Sequence, residues 1–320
     1  MGSSPSPRGL PTHPPGIAPE ILLPEAVRDA AQEEHELIDP EQRSEPEQRS
    51  ESEQRSWAYA PATYVLVAIN CLVFVAMLLH HFSVWNPTPD QLLLFGANQP
   101  KAVLLNGDWW LVVTAMFVHV GIVHLATNMW CLWNLGLLGE PLIGPFGVFA
   151  AYILSGAAGN LLSIFINMLA YTGVSLPWIS GPESAIADLA VGAGASGAVF
   201  GLAGVLIVLL KSPRLKIDPK ELKSLRRLVI YFAAVNFVIG FGGNMLSDYF
   251  DLGMQVDNFA HLGGFLGGIL FALPLVPLLG ASRQHFVFRR RIAVGLVTSV
   301  LVFFGVYLTS VFPGSTWTAK

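Results

Sequence analysis

An all-helical fold that crosses a membrane several times is predicted by three observations. Of 320 residues, 53% are hydrophobic and 12% charged, whereas soluble domains carry about 25% charged residues. From residue 60 on, apolar stretches close to the ~20 residues that a bilayer-spanning helix needs recur along the chain. Basic residues crowd into two of the connections and nearly vanish from the others, the asymmetry that sorts membrane loops to opposite sides.

The first region to justify is the one that cannot span. Residues 1–56 hold 12 of the 22 acids and 5 of the 18 bases, with prolines at 5, 7, 11, 14, 15, 19, 24, 40 and 46 and the unit EQRS at 41, 47 and 53. Such composition cannot bury enough apolar surface to order itself, so residues 1–57 are expected to be a disordered, acidic, cytoplasmic tail. No apolar run follows the start, so a cleaved signal peptide is not expected. The opening residues match the short myristoylation pattern, which many chains match by chance. The remaining 10 acids and 13 bases belong to the body and form no basic stripe that would track a phosphate backbone, so nucleic acid is not an expected partner.

Seven spans are expected, at about 60–81, 115–138, 143–168, 196–210, 226–245, 258–279 and 291–312. They fill a domain of residues 58–313, followed by a short tail at 314–320. Lys211, Arg214, Lys216, Lys220, Lys223, Arg226 and Arg227 lie between spans four and five, and Arg283, Arg289, Arg290 and Arg291 between six and seven. Those loops are read as cytoplasmic, which puts the N-terminus inside and the C-terminus outside. Cys71 and Cys131 sit within apolar runs and read as buried hydrophobes, neither a disulfide framework nor a metal site. Trp109 and Trp110 read as an interfacial aromatic belt, and Glu140 as a hydrated residue at the inner end of span two.

Span four is short. The 15 residues from Ser196 to Leu210 rise ~22 Å as a helix, against ~30 Å of hydrocarbon. Its outer end is then submerged, and backbone at that depth must be buried in protein or line a water-filled cavity. Counted from their inner ends, His124 on span two and His261 on span six reach the level of Ser196. A serine beside imidazoles in a membrane suggests a nucleophile with its base. Ser196 also begins a helix, whose unpaired N–H groups and positive dipole end suit a developing oxyanion. His124 and Asn128 share a helix face and can donate to the same oxygen. His119, five positions before His124, reads as a structural hydrogen-bonding residue. Asp257, one turn before His261, reads as a capping residue, and Asn134, Asn160, Asn236 and Asn244 as helix cross-links. Gly197 with Gly201, and Gly263 and Gly264 with Gly267 and Gly268, predict close packing of spans four and six.

Three segments in this order, FVHVGIVHLATNMW (117–130), GASGAVFG (194–201) and AHLGGFLGG (260–268), resemble the rhomboid intramembrane serine proteases. The resemblance implies a six-helix core plus a seventh helix. It implies a catalytic dyad of Ser196 and His261, with His124, Asn128 and the Ser196 N–H as oxyanion donors. Gly194, Phe200 and His119 are the supporting positions, Phe200 matching the aromatic residue that stacks on the catalytic histidine. Trp110 and the Gly139–Glu140 pair also look like family landmarks. The family usually places arginine directly after the matching tryptophan; Leu111 stands there, which leaves the anchoring of that loop open. The connection at 169–195, with Pro177, Trp178, Pro182 and Asp188, looks longer than usual.

The function implied is cleavage of membrane proteins within or beside their transmembrane segments, by an enzyme of a bacterial inner membrane that needs neither metal nor organic cofactor. Its partners are transmembrane protein substrates and the lipid bilayer. A silent member that binds membrane clients is the alternative, and such a protein has no reason to keep Ser196 with His261. A transporter would show repeated motif-bearing halves, which are not visible here. A zinc protease would show HExxH, which is absent.

Overall fold

Proline and glycine decide where the helices begin and bend. The computed structural model describes residues 60–172, 191–211, 219–250, 256–278 and 283–313, with backbone alone for 219, 221, 241–250, 277, 278 and 283. The tails and the stretch holding Pro177, Trp178, Pro182 and Asp188 lie outside the described residues. Helix α1 (Pro61–Leu79) starts with a proline, whose missing N–H costs nothing in a first turn. Its neighbouring donors find a carboxylate: Ala62 N and Thr63 N donate to Glu140 Oε1 and Oε2 at 2.8 and 2.9 Å, and Thr63 Oγ1 donates to Oε2 at 2.7 Å. Glu140 is 2% exposed. The reading of it as a hydrated interface residue is therefore corrected; it closes the first turn of a helix that precedes it by 77 residues.

The connection after α1 contains three short helices, α2 (Pro89–Leu94), α3 (Pro100–Leu104) and α4 (Leu111–Thr114), the last running into a 3-10 turn at Ala115–Phe117. Span two therefore does not start at 115. Val118 is extended and Gly121 has φ +135°, so the long helix α5 (Ile122–Tyr171) begins only after them. Spans two and three are its two arms, and the one residue off helical geometry is Gly144 (φ 74°, ψ 166°), between Pro141 and Pro145. Arg290 braces that joint, donating to Ile143 O at 3.0 Å and lying 5.0 Å from the centre of the Phe146 ring.

After α6 (Ser196–Leu209) and α7 (Pro219–Phe250) comes α8 (Asn258–Ala272), which tightens into a 3-10 turn at Leu273–Leu278 around Pro274 and Pro277, and then α9 (Arg283–Val311). Helices α1 and α5 and the stretches Asn258–Val276 and Gln284–Val311 are long and apolar enough to cross a membrane. Large side chains such as Leu72, Trp130 and Phe303 are exposed on the outside of the bundle, where acyl chains replace water. The chain is a helical, multi-pass integral membrane protein.

Helices α6 and α8 cross with backbone against backbone. A Cβ at Gly264 would strike Gly197 O, one at Gly268 would strike Gly201 O, and one at Gly204 would strike Phe265 O. Only hydrogen fits between the main chains, the reason for small residues at four-residue spacing. A larger apolar cluster built around Leu132, Tyr152, Leu202 and Phe271 surrounds this crossing. A second cluster, including Leu111, Ile164, Met168 and Leu308, joins the connection after α1 to the third span and α9.

Candidate active site

Ser196 is the first residue of α6, and the residues before it are held as a ladder. Gly192 and Asn98 exchange backbone hydrogen bonds of 2.7 and 2.8 Å, and Gly194 N donates to Ala115 O at 2.9 Å. Ala195 N donates to His119 Nε2 at 3.4 Å, while Nδ1 of the same ring faces Phe117 O at 3.3 Å. His119 is thus the neutral tautomer with its proton on Nδ1, wedged between the 3-10 turn and the serine's loop. The turn offers three successive carbonyls: Ala115 to Gly194, Met116 to Tyr152 Oη at 3.1 Å, and Phe117 to His119. Asn70 completes this network from α1, donating to Tyr152 Oη at 3.1 Å. The family motifs do not contain Asn70 or Tyr152; an asparagine and a tyrosine inside spans were the only sequence signal for them.

On one flank of this loop stands His124. Gly194 adopts φ +132°, and a Cβ there would meet the His124 ring at Cε1 and Nε2, 2.5 and 3.0 Å away. Glycine is required both by the left-handed backbone and by the imidazole that fills the space. The His119 and His124 rings are 5.3 Å apart. Asn128 is buried, and its Nδ2 donates to His124 O at 2.9 Å, leaving its second N–H uncommitted.

His261 lies beside the first turn of α6. Its ring stacks on Phe200, one turn into α6, with centroids 4.4 Å apart and an interplanar angle of 17°. Gly197 faces Ala260 O, which a Cβ would approach to 3.2 Å, so the residues following Ser196 and preceding His261 touch. His261 is 6% exposed, and its Nδ1 has no hydrogen-bond partner among the described residues. Ser196 itself is half-buried, as are residues 191–194. The His261 ring thus lies against the first turn of α6, which Ser196 begins, and the His124 ring lies against Gly194, two residues before it.

Asp257 does not orient the imidazole. Its Oδ1 accepts from Ala260 N at 2.8 Å, capping α8, and its Oδ2 accepts from Ser163 Oγ on the third span. Burial, the largest influence, pushes the Asp257 carboxyl above the usual carboxylate range, against those hydrogen bonds. Both oxygens are engaged in holding the helix. The asparagine cross-links need correction: Asn160 does reach Val112 O at 2.8 Å, but Asn134 and Asn236 return to carbonyls one turn back in their own helices. In an apolar surrounding the nearest carbonyl is the i−4 one, and it wins. The side chain of Asn244 lies outside the described residues.

Trp110 is exposed, as a belt residue would be, but Trp109 lies on Gly305 of α9, where a Cβ would come within 3.2 Å of its ring. Among the described residues no cluster of histidine, cysteine, aspartate or glutamate is arranged to hold a metal ion.

The family model for the Rhomboid domain matches residues 106–278. Rhomboid protease GluP of Bacillus subtilis (strain 168) is 28% identical over 68% of this chain and 36% of its own length. Rhomboid protease AarA of Providencia stuartii is 29% identical over 67% of this chain and 72% of its own. Rhomboid-like protease 3 of Toxoplasma gondii is 31% identical over 58% of each. The chain thus spans from about a third to under three quarters of these three relatives.

Proposed function

The chain belongs to the rhomboid family, and on that premise we propose that it is an intramembrane serine endopeptidase acting on transmembrane proteins through Ser196 and His261. The observation that carries the reading is the Phe200 stack, which fixes the His261 ring one turn from the start of the serine's own helix. In this mechanism Ser196 Oγ attacks the scissile carbonyl while His261 takes its proton. The oxyanion is met by the Ser196 N–H, by Asn128 and by His124. The imidazolium then returns the proton to the leaving amine, and water entering from the outer side hydrolyses the acyl-enzyme. Asp257 has no part in the proton transfer because its oxygens are committed to Ser163 and Ala260. We further propose that the N-terminus is cytoplasmic, the C-terminus external and the host membrane a bacterial inner membrane, supported by the basic loops and by bacterial relatives.

The test is direct. Ser196→Ala should abolish both cleavage of a model transmembrane substrate and labelling by a fluorophosphonate, and His261→Ala should nearly do so. A Ser196→Ala protein that still cleaves, with contaminating proteases excluded, would falsify the nucleophile assignment. A folded but inactive Asp257→Asn would argue for a triad.

A further inference from the structure

Helix α9 is joined to the serine's loop through the connection after α1. The Trp109 ring packs against Gly305 of α9, and Leu111, 4% exposed, is buried in the apolar cluster that contains Leu308. From there the chain is short and stiff. Residues 111–117 are one turn of α-helix followed by one 3-10 turn, tied to the third span where Val112 O accepts from Asn160. At the far end of the same rod Thr114 Oγ1 donates to Gly96 O at 2.7 Å, and Ala115 O accepts from Gly194 N, two residues before the serine. A displacement at Trp109 therefore cannot be absorbed by a flexible linker before it reaches Gly194.

We infer that α9 is an anchoring element for the serine's loop, with Gly305 as the socket and Trp109 and Leu111 as positioning residues. The inference rests on the protease reading for its kinetic arm only.

The experiment enlarges the socket floor and then removes the ring above it. Gly305→Leu should drive Trp109 out, and Gly305→Ala, whose Cβ is only tight, should do so mildly and keep the protein folded. Gly295→Leu on the same helix is the control, because nothing lies within 4 Å of a Cβ there. Hydrogen exchange of the purified protein should rise in peptides covering 96–116 and 191–196 for Gly305→Leu, and stay unchanged in 61–79. Cleavage should lose at least about ten-fold in kcat with KM within about two-fold, as displacement of a catalytic group requires. Trp109→Ala combined with Gly305→Leu should recover part of both losses. Unchanged exchange in 96–116 overturns the anchoring. Raised exchange with unaltered kcat overturns the coupling to the site, and a double variant no better than Gly305→Leu overturns the socket. If the wild type is not labelled at Ser196, the protease reading fails, while exchange still decides the anchoring.

Discussion

Replacing Gly264 by alanine puts one methyl group where α6 and α8 have no room. The added Cβ would lie 2.7 Å from Gly197 C and 3.0 Å from Gly197 Cα, and closer still to Gly197 O. Restoring ordinary contact at 3.4 Å from the carbonyl carbon needs at least about 0.7 Å of separation. The neighbours are backbone, so neither helix can give way by turning a side chain. Overpacking of this kind costs ~1–3 kcal/mol of stability. The kinetic effect should be larger in proportion, because the struck carbonyl belongs to the residue after Ser196 while Gly264 lies one turn beyond His261. Misplacing catalytic groups by about 1 Å costs on the order of 100-fold in rate. Thermal unfolding in detergent and cleavage of a model transmembrane substrate read the two effects separately. Gly295→Ala is the matched control: no atom lies within 4 Å of its Cβ, and helical alanine is favoured over glycine by up to about 1 kcal/mol. A Gly264→Ala protein that unfolds with the wild type and cleaves within about three-fold of it would refute the backbone-contact argument.

Asn128→Ala should cleave slowly yet still be labelled by a fluorophosphonate, losing about 2.7 to 4 kcal/mol of transition-state stabilisation or roughly 100- to 1,000-fold in kcat/KM; wild-type cleavage would remove Asn128 from the oxyanion site. Glu140→Ala leaves the N–H groups of Ala62 and Thr63 and the Thr63 hydroxyl without their acceptor, so the unfolding free energy should fall by about 2–4 kcal/mol while the rate per folded molecule is kept. Single cysteines at Ser212 and Ser282 should be protected from an impermeant thiol reagent in intact cells, and one at Gly173 should react; the opposite pattern would invert the topology.

Hydropathy made the long apolar helices legible because a bilayer sets a minimum length for a full crossing, and four-residue glycine spacing identifies the α6–α8 contact. The errors share a physical origin. Span two was extended back to 115 because residues 111–121 are as apolar as a helix, and hydropathy does not register that Val118 is extended or that Gly121 turns. Glu140 looked hydrated because its partners are 77 and 78 residues away along the chain. The contact of Trp109 is equally invisible locally, because its partner is a glycine on α9. Local pattern carried the positions of Ser196, His124 and His261 along their helices; it could not carry the network of Asn70, Tyr152 and Met116, whose members come from separate elements.

The brace at the bend of α5 sets an order on biosynthesis. Ile143 O and Arg290 are 147 residues apart, so the carbonyl freed by Gly144 has to wait for almost the whole chain to be made before it meets that guanidinium. Until then the two arms share a joint with no arginine to close it. The angle between the second and third spans is thus the last geometry of the bundle that this contact can secure, and a nascent chain stalled before its final helix would carry its motifs on a frame still free at the elbow.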